Sequence, residues 1–413
     1  MQGKKSLLYF LGKVIYLVSL WAMIPLIVRM TDYTYTGIFS LAITVCNLFY
    51  TISATGLRSF LITDINREYS NKQYMLACAI SIIAGLFPCL LFVVVTDYSE
   101  IQRTVIILFM IYKSLEAFSE LCYGYYQNHG DRFVDICISL TVKGIVQLGA
   151  FYAGLAIFND LRHAVLLMII SIIAVVAIYD FPRIRKNVRP FVMFTFFDWK
   201  RAFNLLKRCS PMIIVSLTAP LMQAIPRLHF EERFSTELFG IFSSVAAPAI
   251  IIVVFISSAL VPYMPRYAKF INNNDSKGLM KLLFMSVGIT LALGGVSLIT
   301  AFFAGEWALV VLYGEYIRPW AWVLYSIIAA TTLTAVLTCF TTLFIAARKM
   351  ISLAIFSLFG CIICYITTPY LVSLFEMDGI SLAMIIGQGF SIIVLVILVV
   401  KMGYKMHLNT QMR

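Results

Sequence analysis

Five charged residues lie inside long apolar segments of the first half of the chain, where charge is expensive. They are Lys13, Lys113, Glu116, Glu120 and Lys143. A charged side chain at the centre of a bilayer costs at least about 2.5–3.5 kcal/mol, so such residues usually face a wet cavity or a partner. Ammonium groups bind phosphate as point charges, and a carboxylate in apolar surroundings can take up a proton. The set predicts a cavity for an anionic substrate, with Glu116 or preferably Glu120 coupling transport to protons or sodium.

Simpler interpretations compete with a binding cavity for some of these residues. Lys113 and Glu116 are three residues apart on one helix face and can form a structural ion pair. Lys13 and Lys143 have no acid one turn away. Arg58, at the end of another apolar segment, can either bind substrate or extend to the lipid headgroups. We predict the following substrate-binding residues: Lys13, Arg58, Lys113 and Lys143.

The composition shows what kind of protein must position these residues. Of 413 residues, 61% are hydrophobic and 13% are charged, and the mean hydropathy is +0.91. A soluble domain carries roughly 45–50% apolar and about 25% charged residues. Because so much apolar surface cannot be hidden in one water-facing core, lipid must solvate most of it. The sequence therefore predicts an all-α, polytopic membrane protein.

Apolar runs that are long enough to cross a bilayer fill the chain. A hydrocarbon core about 30 Å thick requires roughly 20 apolar residues per helix. We predict about twelve transmembrane helices, at residues 7–28, 36–57, 75–95, 101–126, 136–158, 162–181, 208–228, 238–262, 279–304, 320–347, 351–374 and 378–400. The first run is too long for a cleavable signal and lacks a small-residue cleavage site, so we interpret it as an uncleaved span.

The formal net charge of +12 follows the predicted topology. With the N-terminus in the cytoplasm, 24 of the 32 Lys and Arg residues fall on inner segments or inner helix ends. The outer side has six: Arg29, Arg103, Arg162, Arg227, Arg233 and Arg318. This bias sets orientation in membranes, so both termini are predicted to be cytoplasmic. The basic residues are thus a topology signal with anionic headgroup contacts, and no nucleic-acid partner is predicted.

Two similar halves make up the chain. Gly37-Ile38-Phe39-Ser40 opens the second predicted helix, and Gly240-Ile241-Phe242-Ser243 opens the eighth. Ile24-Pro25 matches Ile225-Pro226, two residues out of step with the spacing of the first match. Six helices per repeat give both halves the same orientation, and such proteins commonly bind substrate between the halves and alternate access by rocking. A duplicated scaffold is the alternative, but it would leave the buried charges unexplained.

We therefore predict four regions in the chain. They are an N-terminal six-helix bundle at 1–181, a basic cytoplasmic linker at 182–207, a C-terminal six-helix bundle at 208–400 and a cytoplasmic tail at 401–413.

The sequence carries no signature of an enzyme, a metal site or a cofactor site. It contains no phosphate-cradling glycine loop, zinc spacing or nucleophile elbow. Cys361 and Cys364 form a C-x-x-C inside an apolar helix with no second pair nearby, so packing is predicted for them. A membrane glycosyltransferase would usually need a large soluble loop, and the longest predicted loop is the linker.

Several of these residues resemble a known family. The segment 35–42 is similar to the opening of the second helix in polysaccharide flippases, as is Gly56-Leu57-Arg58 followed by Thr63-Asp64. The strongest block is Lys113, Glu116, Glu120, Tyr123-Gly124, Gln127, Ser139 and Lys143-Gly144. It resembles the Lys, Glu, acid, Tyr-Gly, Gln series of Wzx-type flippases in the multidrug/oligosaccharidyl-lipid/polysaccharide exporter superfamily. Those proteins typically carry Asp where this chain has Glu120.

The resemblance covers nearly the whole chain in length and helix count and implies a function. A Wzx-type flippase translocates undecaprenyl-diphosphate-linked oligosaccharide, an O-antigen or capsule repeat unit, from the inner to the outer leaflet of the bacterial inner membrane. Polysaccharide polymerase and chain-length proteins are implied partners. The bottom-up excess of cavity lysines is compatible with that diphosphate.

The main alternative is a cation-coupled multidrug efflux transporter of the same superfamily. Such exporters usually carry an acid in the first helix, where this chain has Lys13 and no acid. A lysine there would repel an organic cation. A peptidoglycan-precursor flippase is less favoured, because its relatives usually have more helices.

Overall fold

The computed structural model describes residues 2–64, 68–128, 132–185, 196–260 and 263–411. Within those ranges the chain forms helices and turns and no strand. It divides into two compact units, unit 1 at Met1–Leu217 and unit 2 at Thr218–Arg413. The predicted bundle and linker boundaries stay predictions. The middle of the predicted linker, at 186–195, and the last two residues of the predicted tail lie outside the described residues, as does Arg67.

Unit 1 is built from helices that run back and forth across its length. They are α1 Gln2–Met30, α2 Tyr33–Ala54, α3 Leu57–Thr63, α4 Asn71–Val95, α5 Glu100–Asn128, α6 Phe133–Phe158, α7 Leu161–Val175 and α8 Phe181–Arg185. A π-helical turn at Val176–Asp180 joins α7 to α8. The long helix α9, Phe196–Arg233, begins in unit 1 and ends in unit 2.

Unit 2 continues from the second part of α9. Its helices are α10 Thr236–Ala246, α11 Ile250–Leu260, α12 Tyr263–Asn272, α13 Ser276–Thr300, α14 Glu306–Tyr313, α15 Val323–Ala346 and α16 Met350–Gln411. A 3₁₀ turn at Ala247–Ala249 links α10 to α11, and a π turn at Ala301–Gly305 links α13 to α14.

The prediction of an all-α polytopic membrane protein with about twelve crossings is confirmed. In the described ranges, nine helical segments are long and apolar enough to cross a membrane. One of them, Met350–Tyr404, lies within α16, which has 62 residues and a non-helical kink at Glu376 (φ 49°, ψ −116°). At about 1.5 Å per residue, the segments before and after this kink are each longer than a bilayer core of about 30 Å, so α16 supplies two crossings. The charged helix α5 and the interrupted pair α10–α11 bring the number to twelve.

Polar caps fix where several helices begin. Ser70 and Gln73 form a reciprocal capping box at the start of α4. The carboxylate of Asp160 accepts a hydrogen bond from the backbone N–H of Arg162 at the start of α7. The Arg162 side chain also donates to that carboxylate, which lowers the pKa of Asp160 below its usual value. These caps satisfy backbone donors that would otherwise have no partner at a helix start.

Candidate functional site

A break between α2 and α3 positions Arg58. The chain takes left-handed backbone angles at Thr55 (φ 40°) and Gly56 (φ 68°), which end α2 and let α3 begin at Leu57. Glycine adopts such angles without a steric penalty. A Cβ at Gly56 would also lie 2.9 Å from the sulfur of Met212 on α9. The Gly-Leu-Arg segment is therefore a helix break that places the guanidinium in the first turn of α3.

Arg58 draws together side chains from α1, α3 and α5. Its Nη1 donates to Glu120 Oε2 at 2.5 Å and to the Tyr9 hydroxyl at 3.2 Å, and its Nε donates to Gln127 Oε1 at 3.4 Å. The guanidinium also lies over the rings of Tyr9 and Tyr123, at 5.1 and 5.8 Å. The Arg58 and Glu120 side chains are 17% and 31% exposed. This pair is therefore partly accessible.

Lys13 lies beside this group but has no acidic partner of its own. Its Nζ is 5.9 Å from the centre of the Tyr9 ring, and its side chain is half-buried. It interacts electrostatically with Glu120, yet no described acid comes within ion-pair distance of its nitrogen. Of the four predicted substrate-binding cations, Lys13 is therefore the one without an ion pair among the residues described.

The ion pair that the spacing of Lys113 and Glu116 allows is present. Lys113 Nζ donates to Glu116 Oε2 at 2.8 Å, and the two side chains are 11% and 19% exposed. The ammonium also lies over the Tyr50 ring at 4.9 Å and the Phe109 ring at 5.8 Å. The structural interpretation of Lys113 is thereby confirmed, while its role as a substrate ligand stays a prediction.

Lys143 has an acidic partner that lies far away in sequence. Its Nζ donates to Asp180 Oδ2 at 2.5 Å, to Ser119 Oγ at 2.8 Å and to the Tyr123 hydroxyl at 3.0 Å. The Lys143 and Asp180 side chains are 3% and 0% exposed. Asp180 ends the π turn after α7 and lies more than one helical turn from Lys143 along the chain, so local spacing does not predict it as the partner. The sequence feature that could have indicated it is an acid between Tyr179 and Phe181 at the end of an apolar segment.

A second chain of hydrogen bonds extends the network toward the middle of the helices. The hydroxyls of Tyr16 and Tyr112 lie 2.6 Å apart, and Tyr112 donates to Gln147 Oε1 at 3.1 Å. The Gln147 amide then donates to Ser19 Oγ at 2.8 Å. Helices α1 and α6 approach closely here, as shown by the 3.1 Å distance that a Cβ at Gly144 would have from the Tyr16 Cα. The polar side chains of the strongest resemblance block, at 113–144, thus all make polar contacts inside unit 1.

Asp64, the last residue of the motif after α3, has a structural role. Its carboxylate accepts hydrogen bonds from the backbone N–H groups of Glu68 and Tyr69 and from the Tyr74 hydroxyl. The same turn borders a polar cleft of about 380 Å³, whose wall includes Arg201. Asp64 therefore fixes the connection between α3 and α4 rather than lying with Arg58.

The charge inside unit 1 is positive on balance. The network contains four cations, Lys13, Arg58, Lys113 and Lys143, against three acids, Glu116, Glu120 and Asp180. Each acid is paired with one cation, which leaves one positive charge in excess. An interior with this balance suits an anion better than an organic cation.

In the part of the chain that the structure describes, no group of three His, Cys, Asp or Glu residues could hold a metal ion. The nine cysteines are free thiols. Cys361 donates to the Thr218 carbonyl at 3.5 Å and Cys364 to the Met222 carbonyl at 3.6 Å, both between helices of unit 2. These contacts agree with the packing role predicted for the C-x-x-C.

The fold is shared with solved membrane transporters. Structures of MATE and MOP superfamily transporters superpose on nearly the whole chain. A MATE transporter in complex with MaL6 superposes with a TM-score of 0.68 at 11% identity, over 97% of this chain and 95% of that chain. A MOP superfamily transporter from Pyrococcus furiosus, described as having a binding pocket of reverse polarity that suggests a different function, gives 0.65 at 12% identity, with the same coverage.

One curated protein is similar to this chain in sequence. The capsular polysaccharide biosynthesis protein CapF of Staphylococcus aureus is 26% identical over 309 residues, which cover 74% of this chain and 76% of CapF. No family model matches the chain.

Proposed function

We propose that this protein is a flippase that moves undecaprenyl-diphosphate-linked oligosaccharide, an O-antigen or capsule repeat unit, between membrane leaflets by alternating access. The observation that carries the proposal is the excess positive charge of the unit 1 network, in which Lys13 has no acidic partner among the described residues. A cation at membrane depth is stable when a ligand or a wet cavity satisfies it. A diphosphate supplies such a ligand.

The two accessible cations divide the work of binding. Lys13 contacts the diphosphate directly, because its ammonium group forms no ion pair with any described acid. Arg58 is partly exposed and carries several donors, of which Nη1 now serves Glu120. Guanidinium groups bind phosphate oxygens in a bidentate manner, so the diphosphate competes with Glu120 for Arg58. Lys113 and Lys143 add positive potential and hold the helices in place.

Competition for Arg58 offers a physical route to ion coupling. When the diphosphate takes the guanidinium, Glu120 loses its partner in surroundings of low polarity. An unpaired carboxylate there favours the protonated form. Substrate binding would thus load a proton onto Glu120, and release of the substrate would restore the ion pair and discharge the proton. Glu116 is the second candidate for this role, and a sodium ion would meet the same carboxylates.

Two further observations support a polysaccharide substrate over a drug. The relative CapF is described as a capsular polysaccharide biosynthesis protein. Helix α1 contains no acid between Gln2 and Met30, and it carries the half-buried Lys13. A multidrug exporter that moves organic cations needs the opposite charge in such a place. The drug exporter is the second candidate because the similar solved structures include MATE multidrug transporters.

Location and partners complete the proposal. The excess of Lys and Arg on one set of loops favours a bacterial inner membrane protein with both termini in the cytoplasm. Transport then runs from the inner to the outer leaflet. Membrane lipid surrounds the helices, and polysaccharide polymerase and chain-length proteins act on the exported unit.

The test is a flipping assay in proteoliposomes. The vesicles are loaded with undecaprenyl-diphosphate oligosaccharide, and exposure of the glycan is followed by lectin binding or glycosidase access, with and without a pH gradient. We expect protein-dependent exposure that is faster when the pH is lower on the side where the substrate binds, because the proposed proton travels with the substrate. Movement of organic cations without exposure of any of several glycans would instead establish the drug exporter.

A further inference from the structure

Arg227 of unit 2 is a cation without an ion pair or hydrogen bond among the residues that the structure describes. It lies in the last two turns of α9. Its Nε is fully enclosed and has no hydrogen-bond partner. The guanidinium lies over the Phe242 ring at 6.0 Å, and it forms no hydrogen bond or ion pair with any described residue. The charge pattern of the sequence assigns Arg227 only to the outer side of the predicted topology. Its partly enclosed position in unit 2 indicates a further role.

Such a group is unfavourable for the protein alone. Arg227 is half-buried, and an enclosed charged donor such as its Nε is unfavourable without a hydrogen-bond partner. A single aromatic face compensates only in part, because a cation–π contact is a weak interaction at a partly exposed site. The enclosed atom is Nε, whereas the two terminal nitrogens are not enclosed. The guanidinium is therefore held by its stem and ring contact, with its terminal donors left unused.

The internal repeat supplies a control for whether the fold needs this charge. By its Ile-Pro pair, Ile225-Pro226-Arg227 corresponds to Ile24-Pro25-Leu26 in the first half, two residues out of step with the spacing that relates Phe242 to Phe39. Leu26 is half-buried, so an apolar residue fills that place in α1. The aromatic residue that corresponds to Phe242 is Phe39, which packs against Phe109 with ring centres 5.5 Å apart. The repeated architecture is thus satisfied without a cation at this position.

We infer that Arg227 is an oxyanion-binding residue of unit 2, which takes phosphate or carboxylate oxygens of the transported lipid-linked glycan. The inference rests on the proposed flippase function. Guanidinium groups present paired donors that match phosphate and carboxylate geometry. The Phe242 face holds the guanidinium plane and leaves the terminal nitrogens for the ligand. Unit 2 thereby contributes a second anion-binding group, separate from Lys13 and Arg58 of unit 1.

The test measures binding to the purified full chain in detergent. Three probes are used: farnesyl diphosphate, farnesol, and digalacturonate, which carries carboxylates but no phosphate. The variants are Arg227→Gln, Arg227→Lys and, as a matched loss of one charge on the same helix, Arg233→Gln, whose side chain is exposed. We expect Arg227→Gln to lower the binding affinity for an anionic probe about tenfold or more, equivalent to about 1.4 kcal/mol. Arg227→Lys restores only part of the affinity, and Arg233→Gln changes nothing.

The probes identify which oxyanion the residue binds. A loss confined to farnesyl diphosphate assigns Arg227 to the lipid diphosphate, and a loss confined to digalacturonate assigns it to an acidic sugar. Either result supports the inference. If Lys13→Gln weakens farnesyl diphosphate while Arg227→Gln leaves both anions unchanged, the inference is overturned and the proposed function stands. If the wild-type protein binds neither anion, both are overturned.

Thermal stability without ligand separates binding from a structural role. A residue held for a ligand is a burden on the empty protein, so Arg227→Gln should keep or raise the unfolding temperature. A structural arginine would show the reverse. A lowered unfolding temperature together with unchanged anion affinity would overturn the inference.

Discussion

Lys143 Nζ lies 2.5 Å from the Asp180 carboxylate, and neither side chain has more than 3% of its surface exposed. An ammonium group has three N–H donors. Here they meet three acceptors, which are Asp180, Ser119 and Tyr123. No donor of Lys143 is left for a ligand in this conformation. Lys143 therefore differs in kind from Lys13, although the sequence suggested the same role for both.

The Lys143–Asp180 pair gives the first prediction. Lys143→Met leaves Asp180 as an uncompensated buried charge, so we expect a loss of about 3–5 kcal/mol in the free energy of unfolding. The double variant Lys143→Met/Asp180→Leu should recover most of that loss, because apolar pairs often replace buried ion pairs without penalty. Denaturant unfolding of the detergent-solubilised protein measures both. A fully stable Lys143→Met protein that no longer binds farnesyl diphosphate would instead make Lys143 a substrate ligand.

The Arg58–Glu120 pair gives a prediction about proton coupling. If the diphosphate displaces Glu120 from Arg58, binding at neutral pH should take up close to one proton, by linkage. Titration calorimetry of farnesyl diphosphate in two buffers of different ionisation enthalpy measures that number. In Glu120→Gln the amide cannot take up a proton, so the uptake should disappear. Glu68→Gln, an exposed acid paired with Arg208, serves as the control. Equal proton uptake in wild type and Glu120→Gln would remove Glu120 from the coupling mechanism.

Hydropathy and local spacing were enough to predict the crossings and one ion pair. The length of the apolar runs determines how often the chain can cross a bilayer, and the i, i+3 spacing of Lys113 and Glu116 determines their shared face. The partner of Lys143 could not be found in this way. Asp180 lies 37 residues away on another helix, and only the packing of α6 against α7 brings the two together.

The helix break that positions Arg58 was also not predicted from the sequence. A single helix over 36–57 was predicted, whereas α2 ends at Ala54 and α3 begins at Leu57. Hydropathy is the same on both sides of this break, so it carries no signal there. The signal lies in Gly56, whose left-handed angles end the helix. The unpartnered state of Arg227 was hidden for a similar reason, because charge patterns along a chain do not show which side chains are enclosed.

The helix break yields the next prediction. Gly56→Ala places a Cβ on a residue with φ 68°, which costs about 1–2 kcal/mol for an L-residue. The new methyl also approaches Met212. We expect a matching loss of unfolding free energy and weaker binding of farnesyl diphosphate, because Arg58 follows the break directly. Gly149→Ala in α6, where a Cβ meets nothing within 4 Å, should be neutral or stabilising. Full binding affinity in Gly56→Ala would show that the break does not position Arg58.

Lys13 gives the prediction that bears most directly on the anionic substrate. No described acid pairs with its ammonium, so Lys13→Gln should change the free energy of unfolding by no more than about 0.5 kcal/mol. Its charge is available to a ligand, so the same substitution should lower the binding affinity for farnesyl diphosphate about tenfold. It should also slow flipping in proteoliposomes. Lys13→Arg should keep most of both activities.

Lys200→Gln makes the same charge change at an exposed position of α9 and controls for long-range electrostatics. Farnesol, which has no phosphate, should bind the wild-type protein, Lys13→Gln and Lys200→Gln with equal affinity. Equal losses in Lys13→Gln and Lys200→Gln would mean that net charge, and not a ligand contact, governs affinity. Normal flipping by a correctly inserted Lys13→Gln protein would remove Lys13 from the substrate site, and Arg58 alone would then have to hold the diphosphate.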